Sequence, residues 1–213
     1  MYQPRHFVET RVAVMHDLMR AYPLAAIVTT TAAGPAADHV PLEIDPEPAP
    51  YGTLRGHVAR VNPMWREHAP ATPVLAIFQG PQAYVSPSAY ATKRETGKVV
   101  PTWNYAVVHA RCTLRAIDDP VWLRGLVERL TRRHESGRSV PWQVADAPPD
   151  YVEQMLRAIV GLELVIAELA GKWKVSQNRP GRDRAGVVED LGRRGDENAA
   201  AMARLVQSAA GES

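Results

Sequence analysis

Residues 54–105 read LRGHVARVNPMWREHAPATPVLAIFQGPQAYVSPSAYATKRETGKVVPTWNY, and this stretch decides how the rest of the chain is interpreted. It joins short apolar segments to three clusters, at 56–63, 78–87 and 100–105, which combine turn-forming residues, aromatic rings and hydrogen-bonding side chains. Clusters of this composition pack poorly in a hydrophobic core, whereas they are typical of loops that line a ligand pocket. We therefore expect the wall of a binding site within this stretch.

The composition is that of an ordinary globular protein. The chain has 213 residues, of which 46% are hydrophobic and 23% are charged, so it is long enough to bury a sizeable core. We expect a single domain over 1–213, with a C-terminal helical extension over about 181–213. The eighteen prolines predict short strands. Cys112 is the only cysteine, which excludes an internal disulfide, and it is typical of a small buried residue.

The sequence argues against membrane association, and its charges neither favour nor exclude nucleic-acid binding. The N-terminus lacks a signal-type apolar core, and the most apolar later run, 161–171, is too short to span a bilayer. We therefore expect a cytoplasmic protein with no membrane partner. The net charge of +2 does not argue for nucleic acid by itself. Arginine clusters at 132–133, 179–184 and 193–194 are typical of solvated helix faces, with DNA contact as the alternative.

The hydrophobic periodicity predicts a mainly antiparallel fold with helices inserted at strand ends. Pro23 ends a first helix, Asp119 caps a later one, and Gly80-Pro81 joins two short strands. Because the strands are short, the turns tight and the strand-helix-strand pattern absent, a closed barrel is favoured over a parallel sheet. The fold class is thus α+β, mainly β, with predicted strands at 24–31, 37–44, 53–59, 74–79, 82–85, 102–117 and 162–175, and predicted helices at 10–21, 120–137, 150–160, 185–191 and 197–208.

Familiar catalytic constellations are missing from the sequence. It contains no GxGxxG or P-loop motif, no G-x-S-x-G elbow and no H-E-x-x-H spacing, and we expect no metal site. His39 and His57 lie in consecutive predicted strands, with Arg60 three residues after His57. No pair of side chains is recognisable that would run a reaction alone, so any catalysis would depend on a cofactor. The residues do not decide whether the protein is an enzyme.

Several motifs, in order, resemble the PaiB-type family of FMN-binding negative transcriptional regulators. The resemblance runs from residue 1 to about 191 and rests on the segments 1–7, 39–41, 56–63, 78–87, 100–105 and 171–180. This chain departs from the family pattern at Ala89, where the family usually has tryptophan, and at Cys112, where it tends to have glycine.

The resemblance implies an FMN-binding antiparallel split β-barrel that forms homodimers, with the flavin held at the subunit interface. It also implies repression of transcription, and hence DNA as a possible partner, although no helix-turn-helix signature is present. Three functions stay open at this point. They are a flavin-dependent redox protein or sensor, a DNA- or protein-binding regulator without flavin, and a protein for another planar ligand such as haem or a pyridoxal derivative.

The FMN phosphate needs cations and hydrogen-bond donors. We expect Arg60 and Lys93 to neutralise it, because a guanidinium matches phosphate with two parallel bonds, and we expect His57 and Ser86 to donate hydrogen bonds. Asn62 would either donate to the phosphate or cap the helix that follows it.

The flavin ring needs an aromatic or apolar face and polar groups at its edge. We expect Trp103 to cover the ring, with Asn104 and Gln79 meeting its polar edge. A late motif is too polar for a plain strand and would close the pocket or meet the partner subunit, namely Lys172, Trp173, Gln177 and Asn178.

Overall fold

The computed structural model describes residues 1–69 and 72–209. It consists mainly of β-strands, three of which are long. The strands are β1 (Val8–Glu9), β2 (Leu24–Thr31), β3 (Gly34–Pro41), β4 (Glu43–Asp45), β5 (Thr53–Ala59), β6 (Val74–Val85), β7 (Thr102–Ile117) and β8 (Ile159–Lys174).

The helices lie between strands and at the C-terminus. They are α1 (Val12–Ala21), α2 (Met64–Glu67), α3 (Thr92–Thr96), α4 (Pro120–Glu135), α5 (Pro149–Arg157), α6 (Gly181–Gly192) and α7 (Glu197–Ser208). Asp119 caps α4 as expected, because its side chain accepts from the backbone N–H groups of Val121 and Trp122. Among the described residues, no helix is both long and apolar enough to cross a bilayer.

One sheet contains all eight strands in the order β3-β2-β6-β7-β8-β5-β4, with β1 paired to β8. The pairs β1–β8, β2–β3, β2–β6, β4–β5 and β5–β8 are antiparallel. Over the described residues no ladder joins β3 to β4, so the sheet stays open where the short predicted strands favoured a closed barrel. The antiparallel order and the peripheral helices are as expected.

The chain divides into two compact units. The first comprises Met1–Leu18, Gln79–Val108 and the chain from Ala170 onward, and the second comprises Met19–Phe78 and His109–Leu169. The long strands β6, β7 and β8 contribute residues to both units. The expectation of a single domain stays a prediction.

The expectation of two strands joined through Gly80-Pro81 is wrong, because β6 is continuous across them. Buried positions fall on even residue numbers up to Gly80 and on odd numbers from Pro81 onward. A change of phase within a strand is typical of a β-bulge, which bends the strand without ending it. The expectation of short strands is also wrong, since β6 has 12 residues and β7 and β8 have 16 each.

The predicted strand 37–44 is divided at Leu42. Strand β2 begins at Leu24, which is the partner of Pro41. Leu42 therefore has no residue of β2 opposite it, and the β2–β3 pairing ends there. The Leu42 backbone N–H donates to the Pro23 carbonyl instead, and the next three residues form β4, which pairs with β5. The late elements differ only in their bounds, because β8 begins three residues before the expected strand and α6 begins four residues before the expected helix.

The first unit has a core that includes the C-terminal helices. Val187 and Leu191 of α6 and Met202 of α7 pack with Val85 of β6 and with Tyr90. The C-terminal extension is therefore part of a shared hydrophobic core in this unit. At its other side, helix α1 approaches the sheet at two glycines, since an added Cβ at Gly80 would lie 2.8 Å from Leu18 and one at Gly171 would lie 2.7 Å from Met15.

The second unit places α4 and α5 against the start of β8. Trp122 of α4 covers Gly161, where an added Cβ would overlap the indole ring. Leu123 packs with Val152 and Leu156 of α5 in a small separate core. Glycine at 161 therefore lets the helix layer approach the strand closely.

Candidate functional site

Arg60 follows β5 directly, and all three of its guanidinium nitrogens are occupied. Nη1 and Nη2 donate to the two carboxylate oxygens of Asp118 at 2.8 and 2.6 Å, and Nε donates to the Arg157 carbonyl at 2.6 Å. Nη2 also donates to the Ile159 carbonyl at 3.0 Å. Hydrogen bonding to Arg60 lowers the pKa of Asp118. Arg60 thus ties the end of β5 to its neighbours, and its phosphate role stays a prediction that requires this ion pair to open.

Asn62 caps the short helix α2. Its Oδ1 accepts from the Met64 backbone N–H at 2.8 Å, and its Nδ2 donates to the Asp38 carboxylate at 2.8 Å. The capping role that the sequence allowed is confirmed by the first of these bonds. Both ends of the amide are used here, so donation to a phosphate stays a prediction.

His57 lies half-buried in β5 with an unsatisfied ring nitrogen. Its Nδ1 is buried and has no hydrogen-bond partner in the described part of the chain. Burial lowers the pKa of His57 from its ordinary value, so the imidazole is neutral at pH 7. A buried nitrogen without a partner is uncommon and is available to a ligand.

The buried imidazole predicts acid sensitivity of the fold. Because the pKa of His57 is lower in the folded than in the unfolded state, the unfolded state takes up the proton first as the pH falls below the ordinary value of 6.5. We expect the contribution of His57 to the free energy of unfolding to be constant above that pH and to decrease below it. His57→Gln should reduce this decrease in denaturant titrations between pH 4 and 8, and His39→Gln, at an exposed site, should not.

A residual slope is expected in the His57 variant, since burial also lowers the pKa of His109. Identical pH profiles for wild type and His57→Gln would show that His57 is not a buried neutral imidazole.

The first unit contains a group of residues that we call the lysine–aromatic face, consisting of Tyr84 of β6, Trp103 and Tyr105 of β7, and Lys172 and Lys174 of β8. Residues two apart share one side of a strand, which places the members of each pair together. Trp103 is 48% and Tyr84 45% exposed, and their ring centroids are 6.2 Å apart. Two large aromatic rings are thus offered to solvent beside two cations.

Lys172 is almost fully buried at this face, with 8% exposure. Its Nζ lies 5.4 Å from the ring centroid of Tyr105 and 5.6 Å from that of Tyr2, and it donates to the Tyr2 carbonyl at 3.0 Å. Both rings lie within the range of cation–π attraction. Aromatic faces therefore stabilise the buried ammonium group.

Lys174 is held against β7 by its own hydrogen bonds. Its Nζ donates to the Trp103 carbonyl at 2.6 Å and to the hydroxyl of Thr102. Burial lowers the pKa of Lys174, and the positive charges of Lys172 and Arg179 lower it further. In the chain as described, no carboxylate forms an ion pair with Lys172 or Lys174. The face therefore carries positive charge that an anion would stabilise.

A tight turn after β8 fixes the end of this face. Ser176 has a left-handed backbone with φ of 64°, and its hydroxyl accepts from the Asn104 amide at 2.8 Å. Gln177 bridges the turn, because its side chain accepts from the Val175 N–H at 2.8 Å and donates to the Trp173 carbonyl at 2.5 Å. Asn104 is buried by this arrangement, so its contact with a flavin edge stays a prediction.

Asn198 of α7 orients the neighbouring strand β6 in a way that the sequence did not indicate. Its amide accepts from the Gln82 backbone N–H at 3.1 Å and donates to the Gln82 carbonyl at 2.6 Å, as a strand partner would. The Gln82 side chain in turn accepts from Nε1 of Trp103 at 3.1 Å. An asparagine 116 residues away thus positions the group that holds Trp103.

Ser86 and Lys93 both form hydrogen bonds with Ser88. Ser88 donates its backbone N–H to the Ser86 hydroxyl at 3.2 Å, and the Ser88 hydroxyl accepts from Nζ of Lys93 at 2.9 Å. Ser86 caps the short 3-10 helix Pro87–Ala89, and Lys93 lies in α3. Gln79 is exposed on β6.

The predicted site residues are divided between the two units. His57, Arg60 and Asn62 belong to the second unit, and the first unit contains the other five, namely Gln79, Ser86, Lys93, Trp103 and Asn104. Sequence reasoning assigned Trp103 a role in the site but gave Lys174 none. The role of Lys174 could have been predicted from its spacing, because Lys172 and Lys174 are two residues apart and so place two cations on one side of a strand.

Three of the seven arginines in the predicted clusters form ion pairs with carboxylates. Arg182 pairs with Glu95, while Arg193 and Arg194 pair with carboxylates one helical turn earlier. Arg133 donates to the Arg20 carbonyl. These contacts are typical of solvated helix faces.

Cys112 is buried, as expected for a small apolar residue. Burial raises the pKa of its thiol to about 12.

Comparison with solved structures shows the fold. The FAD- and haem-binding protein from Mycobacterium smegmatis is similar, with a TM-score of 0.59 and 18% identity over 78% of this chain and 73% of that chain. At 18% identity this similarity is evidence for the fold only. The antiparallel split-barrel type with peripheral helices is thereby confirmed.

Two related sequences cover nearly the whole chain. Protein AN0679 of Emericella nidulans is 33% identical over 97% of this chain and 96% of its own length. The "Protease synthase and sporulation protein PAI 2" of Bacillus subtilis is 32% identical over 97% of each. The family described as "Putative FMN-binding domain" matches residues 1–168. The chain therefore belongs to this PaiB-type FMN-binding family, and FMN is the cofactor that membership assigns to it.

Proposed function

We propose that the protein binds FMN at the lysine–aromatic face. The observation that carries the proposal is a half-exposed Trp103 next to Lys172 and Lys174, for which the described residues supply no carboxylate partner. FMN combines a planar ring with a phosphate that carries nearly two negative charges, and this face offers an aromatic surface together with uncompensated cations. The residues present therefore fit the group.

The side chains of this face have separate tasks. Trp103 packs against the ring, and its Nε1–H stays fixed by Gln82, so the indole plane is oriented before the ligand arrives. Lys174 and Lys172 supply charge for the phosphate. When bound, FMN supplies electron-transfer chemistry at this face.

Removing the indole tests the ring contact. We expect Trp103→Ala to weaken FMN binding by roughly 1–3 kcal/mol, because stacking of a planar heterocycle on an aromatic side chain contributes about that much. Trp103→Phe should retain most of the affinity. The measurement is a fluorescence titration of FMN with each variant.

Trp142 provides the matched control, since it is also 48% exposed but lies outside this face. Trp142→Ala should bind FMN as the wild type does. Equal affinity of Trp103→Ala and wild type would place the flavin ring elsewhere.

We further propose that the protein acts in the cytoplasm as a homodimeric negative regulator of transcription. The name of the Bacillus subtilis relative refers to protease synthase and sporulation, which supports a regulatory role. The arginine clusters do not carry this proposal, because Arg182, Arg193 and Arg194 are already paired with carboxylates. Any DNA contact would therefore rely on the other arginines of these clusters and on cations elsewhere.

A gel-shift experiment at two salt concentrations tests the DNA contact. We expect the protein to shift a fragment from upstream of its own gene at low salt and to lose affinity steeply as salt increases. A protein that binds FMN but shifts no fragment at low salt would keep the flavin proposal and exclude regulation through DNA.

A further inference from the structure

Helix α7 takes the place of a neighbouring strand beside β6 at Gln82. Over the residues that the structure describes, the ladder between β2 and β6 covers residues 75–77 of β6, so Gln82 lies beyond its end. The amide of Asn198 bonds both the N–H and the carbonyl of Gln82. Backbone groups at a sheet edge need a partner from water or from a side chain. At Gln82 one side chain of α7 supplies both bonds.

The hydrophobic core of the first unit fixes the position of α7. Asp196 caps the helix, because its side chain accepts from the Ala199 backbone N–H at 2.7 Å. One turn later, Met202 is fully buried and packs in the same cluster as Val85 of β6. The cap and the core therefore hold the first turn of α7, which contains Asn198, against β6.

The side chain of Gln82 connects this fixed position to the lysine–aromatic face. Its Oε1 accepts from Nε1 of Trp103 at 3.1 Å, and this N–H is the only hydrogen-bond donor of an indole ring. Because Trp103 is 48% exposed, packing constrains only part of its ring. The hydrogen bond to Gln82 therefore selects one orientation of the indole plane.

We propose that Asn198 is a positioning residue for FMN, which acts on the flavin through Gln82 and Trp103. Asn198 fixes the strand segment that carries Gln82, and Gln82 keeps the indole in the plane that stacks on the flavin ring. An indole that is already oriented loses less conformational entropy when the ligand binds, and the affinity is higher for that reason.

This inference rests on the proposed flavin site and extends it to a helix outside residues 1–168, which the family description matches. The coupling also acts in the opposite direction. If the Asn198 contact increases FMN affinity, FMN binding stabilises that contact by the same factor, because coupling between two sites is reciprocal. FMN should therefore slow hydrogen exchange of the backbone amides in α7. Gln82→Ala should lose this protection although it still binds FMN at saturating concentration.

The first test measures the indole in the FMN-free protein by nuclear magnetic resonance. The chain has five tryptophans, and the indole N–H resonance of Trp103 is the one that Trp103→Phe removes. We expect Asn198→Ala to shift this resonance, as Gln82→Ala does, because the indole N–H loses its fixed acceptor. Gln207→Ala is the control, since Gln207 is also an exposed amide side chain of α7, and it should leave the resonance unchanged.

The second test is a fluorescence titration of FMN with the same variants. We expect Asn198→Ala to weaken FMN binding about 3- to 10-fold, the factor that corresponds to one neutral hydrogen bond. Because Asn198 acts through Gln82, the double variant should bind FMN as Gln82→Ala alone does. Asn198→Ala should still lower the free energy of unfolding in the Gln82→Ala background, so urea denaturation separates a structural role from positioning.

The outcomes separate this inference from the flavin proposal. Wild-type affinity in Asn198→Ala, together with weakened binding in Trp103→Ala, would overturn the positioning role and keep the flavin site. Equal affinity of Trp103→Ala and the wild type would overturn both. Additive losses of affinity in the double variant, or protection of α7 by FMN that persists in Gln82→Ala, would also overturn the inference. Asn198 is exposed, so Asn198→Ala should fold, which circular dichroism verifies.

Discussion

Gly52→Ala is expected to lower the free energy of unfolding by about 2–5 kcal/mol. Gly52 has φ of +84°, a left-handed conformation that costs a residue with a Cβ about 1–2 kcal/mol. An added Cβ would also overlap the backbone carbonyl oxygen of Asp45, and such overpacking costs typically about 1–3 kcal/mol. The obstacle is backbone, which cannot rotate away as a side chain would.

Gly52 also joins two parts of the second unit. Its N–H donates to the Pro48 carbonyl at 2.9 Å, and its carbonyl accepts from the Ile166 N–H at 3.1 Å. Any shift that relieves the overlap would strain these bonds, so the turn between β4 and β5 has little freedom to adapt.

Gly97→Ala is the matched control for this prediction. Gly97 has φ of +67°, but nothing lies within 4 Å of a Cβ placed there. Gly97→Ala should lose only the conformational part of the free energy of unfolding, about 1–2 kcal/mol. Urea denaturation gives the loss in free energy of unfolding for each variant, and the difference between the two losses is the cost of the overlap with the Asp45 carbonyl. Equal losses in the two variants would show that the Asp45 carbonyl does not confine the turn.

Lys174→Met is expected to weaken FMN binding about 10- to 100-fold. Methionine keeps much of the apolar stem and removes the charge. A hydrogen bond to a charged group contributes about 1.5–3 kcal/mol, and each 1.4 kcal/mol corresponds to about a factor of ten. Because the pKa of Lys174 is lowered, affinity should also decline at a lower pH than it would for a lysine with an ordinary pKa.

Arg60→Met distinguishes the two candidate phosphate contacts. Arg60 already donates to Asp118 and to two carbonyls, so its loss should leave FMN affinity unchanged while it weakens the attachment of β5. Calorimetric titration of FMN into both variants gives the comparison. If Arg60→Met abolishes binding and Lys174→Met does not, the phosphate lies at Arg60 and the lysine–aromatic face is not its site.

The sequence was informative wherever a local pattern determines structure. Asp119 followed by proline predicts the start of α4, and Asn62 followed by Pro63 predicts the capped helix α2. Alternation predicts β7 over the same residues that the structure assigns to it. These signals work because capping bonds and strand alternation involve residues close together in the chain.

The sequence was less informative where the partner lies far along the chain. Arg60 has the chemistry of a phosphate ligand, but Asp118, 58 residues later, occupies its guanidinium. Gly80-Pro81 has the composition of a turn, but the packing of β6 keeps it within the strand as a bend. Local spacing in the sequence encodes neither the pairing of Arg60 with Asp118 nor the continuation of β6 through Gly80-Pro81. Both features are therefore visible only in the tertiary structure.

The most direct test of the flavin site is to identify and quantify the ligand carried by the purified protein. The protein is isolated under native conditions, the ligand is released by denaturation and its mass is determined, and the emptied protein is then titrated with FMN. We expect FMN in an amount equal to the protein chain, and tight rebinding by the wild type but not by a Trp103→Ala, Lys174→Met double variant. Release of a different planar ligand such as haem, or rebinding of FMN by the double variant as tightly as by the wild type, would contradict the assignment of FMN to this face.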